Sequence, residues 1–185
     1  MPSRLSSEHG TLCVIALGGN LGDTSAVFRS AQELLEHGGF RIRRVSSFIR
    51  TAPENMPPRT PDFLNGVLSG YWNDSPEALL CLCRRIEEQL GRPNAHAHYV
   101  SRTLDLDLIL FGAERIRTDS LIVPHPRARE RSFVRIPLRE IEPELEALLD
   151  VLTDGPEVPR TAVSSAGPAD IRSDSGSGDG ASRRP

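Results

Sequence analysis

Apolar and polar positions along this chain follow two periods, and the switches between them outline its elements. Thr11-Leu-Cys-Val-Ile-Ala-Leu17 is a continuous apolar run of strand length. Gly18-Gly-Asn-Leu-Gly-Asp23 follows as a turn, and Asp23 or Thr24 stands where a side chain can cap a helix reaching Glu36. Val27, Phe28, Ala31, Leu34 and Leu35 recur at helical spacing, and Gly38-Gly39 ends the pattern. Residues 40–51 read as extended, with a loop rich in proline (Pro53, Pro57, Pro58, Pro61) after them. Residues 63–71 form a further strand. Asp74-Ser-Pro76 joins an N-cap to a proline at an early helical position, and Leu79, Leu82, Ile86 and Leu90 continue as helix to Gly91.

After a polar loop over 92–101, Arg102-Thr-Leu-Asp-Leu-Asp-Leu-Ile-Leu-Phe111 alternates as a strand. The period of two places Asp105 and Asp107 on one face and Leu104, Leu106, Leu108 and Leu110 on the other, core-facing side. Residues 115–123 are a short extended stretch, 124–131 a loop, and 133–149 close the core. The order β-α-β-β-α-β predicts an α+β fold, the ferredoxin-like split βαβ sandwich. Its antiparallel sheet is expected to carry its helices on one face. The other face can then hold a site, and the loops over 51–62 and 92–101 are long enough to close over it.

A length of 185 residues predicts one domain. We divide the chain into a flexible N-terminus (1–10), a folded domain (11–152) and a disordered C-terminal tail (153–185). The tail is mostly Ser, Gly, Pro, Asp, Ala and Arg, too poor in large apolar residues to offset the cost of ordering. The net charge of −3 gives no signal for nucleic acid or an anionic membrane. No apolar run approaches the ~20 residues of a spanning helix, and the N-terminus lacks the apolar stretch of a secretory signal. Three cysteines, with Cys81 and Cys83 pointing apart on a helix, support neither a disulfide framework nor a zinc site. These features predict a cytoplasmic protein.

All 22 basic residues are arginine. The absence of lysine excludes a P-loop lysine, the strand lysine of protein kinases and Schiff-base chemistry. Phosphate contacts must therefore come from Arg, His, hydroxyls and backbone N–H groups.

Two carboxylates side by side on a strand repel each other unless a cation lies between them. Mg²⁺ or Mn²⁺, which prefer oxygen ligands, fit Asp105 and Asp107. The alternative is an ordinary half-exposed strand with two solvated aspartates, although Asp is depleted in strands. The glycine-rich turn at 18–23 resembles a phosphate loop but lacks G-x-G-x-x-G and reads first as a tight strand-to-helix connection. Pro124-His-Pro-Arg-Ala-Arg-Glu-Arg131 concentrates a histidine and three arginines in eight residues, and prolines on both sides of His125 suggest a held conformation. Arg92 and Arg102 bracket the polar loop and can reach a polyphosphate. Phe63 and Phe133 can sandwich a flat heterocycle whose edge Asn65 reads, though either phenylalanine alone also reads as core.

Four stretches, in this order and spacing, resemble the 6-hydroxymethyl-7,8-dihydropterin pyrophosphokinase family of folate biosynthesis. They are Ala16-Leu-Gly-Gly-Asn-Leu-Gly-Asp23; Ser46-Ser-Phe-Ile-Arg-Thr-Ala-Pro53 with Pro61-Asp-Phe-Leu-Asn65; Arg102-Thr-Leu-Asp-Leu-Asp107; and Val123-Pro-His-Pro-Arg127 with Arg131-Ser-Phe133. The resemblance implies transfer of a pyrophosphoryl group from ATP to the hydroxymethyl oxygen of the pterin, releasing AMP. It implies that Asp105 and Asp107 hold two Mg²⁺ ions and that Arg92 and Arg102 are catalytic arginines that also bind ATP. Glu87, His125 and Arg131 correspond to further ATP-site residues. Thr51, Phe63, Asn65 and Phe133 correspond to the pterin site. The implied partners are these two small molecules, with neither nucleic acid nor membrane, and the implied state is a monomer acting as a stand-alone enzyme. The chain departs from the family pattern in four places. His98-Tyr-Val-Ser101 replaces the usual Arg-Trp-Gly-Pro, Asn94 replaces a second loop arginine, Gly19 stands where Ser is common, and Phe63 where Tyr is common.

Two other readings compete. Another Mg²⁺-dependent phosphotransferase or nucleotidyltransferase would share the aspartate pair without needing paired aromatics. A non-catalytic ferredoxin-like binding module, regulatory or RNA-binding, should show exposed aromatics with basic residues, and two carboxylates on that face would repel a phosphate backbone.

Overall fold

The computed structural model describes residues 6–7, 10–53, 56–91 and 101–155. Strands β1 (Ser6–Ser7) and β2 (Gly10–Gly19) lead into helix α1 (Thr24–His37), and β3 (Arg41–Val45), β4 (Ile49–Thr51) and β5 (Phe63–Trp72) follow. Helix α2 (Pro76–Gln89), β6 (Asp105–Phe111) and the small hairpin β7 (Ile116–Arg117) and β8 (Ile122–Val123) come next, then helices α3 (Ser132–Ile141) and α4 (Pro143–Asp154). The main sheet is antiparallel throughout: β6 pairs with β2, β2 with β5, and β5 with β3 and β4. Among β2, β3, β5 and β6 the spatial order is that of the ferredoxin-like fold.

Local chemistry sets the helix limits. The Asp23 carboxylate accepts from Ala26 N–H at 3.0 Å and starts α1. Gly39, at φ 96°, adopts a left-handed conformation just past its end. Ser75 Oγ accepts from Ala78 N–H at 3.2 Å, and Pro76 occupies the first turn of α2, where a missing N–H costs nothing. The stretch expected to close the core breaks in two at Glu142, and Pro143 opens α4.

The core lies on both faces of the sheet. Ile15, Leu17, Leu68, Leu106 and Leu108 pack with Phe28, Leu35, Leu79 and Ile86 of α1 and α2. On the opposite face Leu12, Val14, Val67, Ile109 and Leu110 pack with Val134, Leu138 and Ile141 of α3 and with Leu145 and Leu149 of α4. The two helices of the split βαβ unit thus share one face as expected, while the C-terminal pair covers part of the face expected to be free.

Three sequence expectations shift. Leu110 leaves the stripe of Leu104, Leu106 and Leu108 and joins the opposite cluster. The cause is a bulge: Val14 pairs with Leu110 but Ile15 with Leu108, so one extra residue of β6 inverts the alternation. Helix α4 runs through Thr153 and Asp154 into the span assigned to the tail, and Thr153 Oγ1 donates to Leu149 C=O at 2.7 Å. Ser6–Ser7 of the expected flexible N-terminus pairs with Gly10 and Thr11. Residues 156–185 lie outside those described.

Candidate active site

Residues on the α3 side of the sheet divide into covered and uncovered rows. Across three strands, Asp105 is opposite Gly18 and Gly18 is opposite Asn65; one step along, Asp107 is opposite Ala16 and Ala16 opposite Val67. The middle strand thus presents no side chain at Gly18 and a single methyl at Ala16. A Cβ placed on Gly18 would lie 3.4 Å from Asn65 Oδ1 and 3.9 Å from Asp105 Cβ. The result is an open floor between the strand that bears the carboxylate pair and the strand that bears the amide, their backbones two inter-strand spacings or roughly 10 Å apart.

Cationic groups gather along the aspartates. Arg102 Nη1 lies 2.7 Å from Asp105 Oδ2, Arg131 Nη1 3.5 Å from Asp107 Oδ2, and His125 Nε2 4.0 Å from that same oxygen. The Arg131 guanidinium also stacks 5.3 Å from the centre of the Phe133 ring in the first turn of α3. The prolines around His125 do frame a held loop: His125 N–H donates to Ile109 C=O at 3.1 Å on the outer edge of β6. Its Nδ1 accepts from Arg127 N–H at 3.3 Å, which assigns the ring proton of the neutral form to Nε2, the nitrogen facing Asp107.

Burial, and then the neighbouring Asp105, raise the proton affinity of Asp107, against the pull of His125, Arg131 and Arg102. Burial lowers the pKa of His125 against the opposing effect of Asp107, with Arg131 and Arg127 reinforcing the neutral ring. This site disfavours adjacent negative charge and surrounds it with donors. A hard dication would relieve the repulsion between Asp105 and Asp107, and the all-oxygen donor set of the two aspartates suits Mg²⁺. No third His, Cys, Asp or Glu joins them in a metal-binding cluster among the described residues.

On the amide side, Asn65 Nδ2 donates to Thr51 Oγ1 at 2.9 Å, which fixes the orientation of the side chain. Phe63 is half-buried at the start of β5 and pairs with Thr51. Glu87 sits apart from the aspartate face: it is buried on α2, and its Oε1 accepts from Leu106 N–H at 2.7 Å, holding the unpaired edge of β6. Arg92 lies outside the described residues, as do Asn94 and the His98-Tyr99-Val100 substitution.

Sequence reasoning missed two groups beside this floor. Gly19 lets two backbones touch: a Cβ there would lie 2.4 Å from Thr103 C=O. Asn20, read only as a turn residue, is buried and hydrogen-bonded to the segments at 61 and 101–102. A cleft of about 360 Å³ between the glycine turn and residues 61–64 is lined by Asn20 but by neither Asp105 nor Asp107.

Comparison with known proteins decides the family. Residues 14–143 match the 7,8-dihydro-6-hydroxymethylpterin-pyrophosphokinase (HPPK) family, a span that contains every described residue of the floor. The chain belongs to this family. It is 40% identical over 136 residues to the 2-amino-4-hydroxy-6-hydroxymethyldihydropteridine pyrophosphokinase of Bacillus subtilis, spanning 73% of this chain and 80% of that protein. It is also 40% identical over 136 residues to a mitochondrial folate synthesis bifunctional protein of Arabidopsis thaliana. That match takes in 74% of this chain but only 24% of the larger protein. A solved HPPK-DHPS in complex with substrates superimposes with a TM-score of 0.53 at 12% identity, covering 77% of this chain and 42% of that one. At that identity the likeness bears on the fold alone, and it agrees with an HPPK sheet and helix arrangement.

Proposed function

We propose that this chain transfers the pyrophosphoryl group of ATP to the hydroxymethyl group of 6-hydroxymethyl-7,8-dihydropterin, giving AMP and the pterin diphosphate for folate synthesis. Besides membership of the HPPK family, the observation that carries this reading is the row Asp105–Gly18–Asn65. It joins a carboxylate pair suited to a metal–triphosphate to an amide suited to a pterin edge, with a gap between them for the reacting groups.

In this reading Asp105 and Asp107 hold Mg²⁺, two ions being expected, and the bound metal neutralises triphosphate charge. The remaining work falls to positioning and charge stabilisation, because phosphoryl-type transfer demands little covalent chemistry of the protein. Arg102 turns from Asp105 toward the phosphates. His125 donates from Nε2, and Arg131 adds a guanidinium that lies over the Phe133 ring. Arg92 is assigned a phosphate contact on the family resemblance. Phe63 and Phe133 stack on the pterin, Asn65 reads its edge, and Thr51 orients Asn65. Glu87 serves the nucleotide side by fixing the β6 backbone at Leu106.

Product analysis tests the reaction. AMP as the nucleotide product, dependent on Mg²⁺, supports it; ADP would indicate a simple kinase, and free pyrophosphate a nucleotidyltransferase. Thermal shifts with Mg²⁺, an ATP analogue and hydroxymethylpterin, singly and together, test the order of assembly. No described helix is long and apolar enough to cross a membrane. A cytoplasmic monomer that requires no partner beyond its two substrates completes the proposal.

A further inference from the structure

We infer that Asn20 is a positioning residue for the transfer: one buried amide that ties the entrance of the pterin-reading strand to the segment carrying Arg102. Only 6% of Asn20 is exposed, and three of its hydrogen-bonding positions are used. Its Nδ2 donates to Pro61 C=O at 3.2 Å and to Ser101 Oγ at 3.1 Å, and its Oδ1 accepts from Arg102 N–H at 2.9 Å. A carbonyl on one side and an N–H on the other fix which end of the amide is which. The backbone repeats the link, since Asn20 N–H and Leu21 N–H both donate to Arg102 C=O, at 2.9 and 3.3 Å.

The partners give these bonds their meaning. Pro61 stands two residues before Phe63 and four before Asn65, and Arg102 is the guanidinium paired with Asp105. The two segments are 41 positions apart in the chain, yet they meet on the two ends of one side chain. Leucine or aspartate in the same turn cannot donate to one carbonyl while accepting from another segment's N–H, whereas an amide does both. Gly19 brings this turn against Thr103, where a methyl group would lie 2.4 Å from the carbonyl oxygen. The turn at 18–23, which resembles a phosphate loop in composition, therefore acts on the site through Arg102 and Pro61.

The inference rests on the transfer reading above, so the test needs one readout that activity does not enter. In Asn20→Ala the Arg102 amide should lose protection from hydrogen exchange, while the Leu106 amide, held by Glu87, should keep it. kcat should fall about 100-fold, the scale on which a displaced catalytic group acts, with either KM changed less than about threefold. Asn20→Asp keeps the acceptor for Arg102 N–H and loses both donors, so Arg102 should stay protected and kcat should fall only about tenfold. An Asn20→Ala protein with kcat within about twofold of the unsubstituted chain overturns the inference. So does lost activity with the Arg102 amide still protected, or exchange that rises across β2 and β5 alike, which would mark a purely structural role. Should Asn20→Ala fail to fold, Asn20→Asp decides: kcat within about twofold of the unsubstituted chain, or loss of protection at the Arg102 amide, overturns the inference. If the unsubstituted protein forms no AMP, the functional reading fails, and the exchange data still judge the clamp on its own.

Discussion

One face of the sheet serves two ends that call for opposite residues. Toward the far end of β2, Leu12 and Val14 join Val67, Ile109 and Leu110 beneath α3 and α4, and the surface is sealed. Toward the other end the same strands present Gly18, Asn65, Asp105 and Asp107 outside that apolar cluster, with Ala16 packed against its margin. The strands run through both halves, with the β6 bulge at their boundary. What differs is the side-chain volume on β2 and the charge on β6. Small residues in the middle strand make room, and carboxylates at the edge refuse an apolar cover. The sealed half stabilises the sheet; the open half uses that rigidity to hold a charged pair it would otherwise repel.

Substitutions in each half should therefore move different measurements. The largest effect is expected from Asp105→Ala or Asp107→Ala, which should lower turnover by at least about 10³-fold if the pair holds the proposed metal. Their unfolding midpoints should hold or rise, because removing one carboxylate relieves the repulsion that burial intensifies at Asp107. Near-normal turnover in both variants would remove the metal assignment. In the sealed half, Leu138→Ala should cost about 3 kcal/mol in denaturant unfolding, and its folded fraction should keep its kcat. A parallel fall in kcat there would mean that the two halves are not separable.

Arg102→Ala should cost about 3 kcal/mol in kcat/KM, seen mainly in kcat, as expected for a contact made in the transition state. A change confined to KM would reassign Arg102 to ground-state binding. The smallest effect concerns pH. Hydrogen bonds from Arg139, and then Arg135, hold the Glu146 carboxyl below its ordinary pKa, with burial acting against them. A depressed carboxylate adds stability above its unfolded pKa and loses it as pH falls through the folded one. The acid limb of unfolding below about pH 4 should thus be shallower in Glu146→Gln than in the unsubstituted chain. Solvent around the exposed Arg139 keeps this difference modest. Parallel limbs for the two proteins would show that the network contributes nothing on protonation.

Much of the open half was legible because its signals are local. The alternation around Asp105 and Asp107 needs only neighbouring residues, as do the caps at Asp23 and Ser75 and the proline after it. The bulge that moves Leu110 was not legible, since register depends on the partner strand. Nor was the reach of Asn20, whose link to Arg102 spans 82 positions and whose setting among glycines signals only a turn. The stretch 133–149 reads as one closing segment, whereas Pro143 opens a second helix, and which face the last two helices cover follows from packing against Val67 and Ile109. The place of Glu87 beneath Leu106 is likewise tertiary.

The edge of β6 has a mechanical consequence. On its inner side the strand is paired to β2, and on its outer side Glu87 grips Leu106 N–H while His125 N–H grips Ile109 C=O. The main chain bearing the two aspartates cannot slide along its own axis without releasing α2 and the 124–131 loop together. On the proposed function, ions and phosphates are accommodated by rotation of side chains, the two carboxylates and Arg102, rather than by movement of the strand. Structures of loaded and unloaded protein should superimpose over the backbone of 105–109 and differ in the torsions of Asp105 and Asp107.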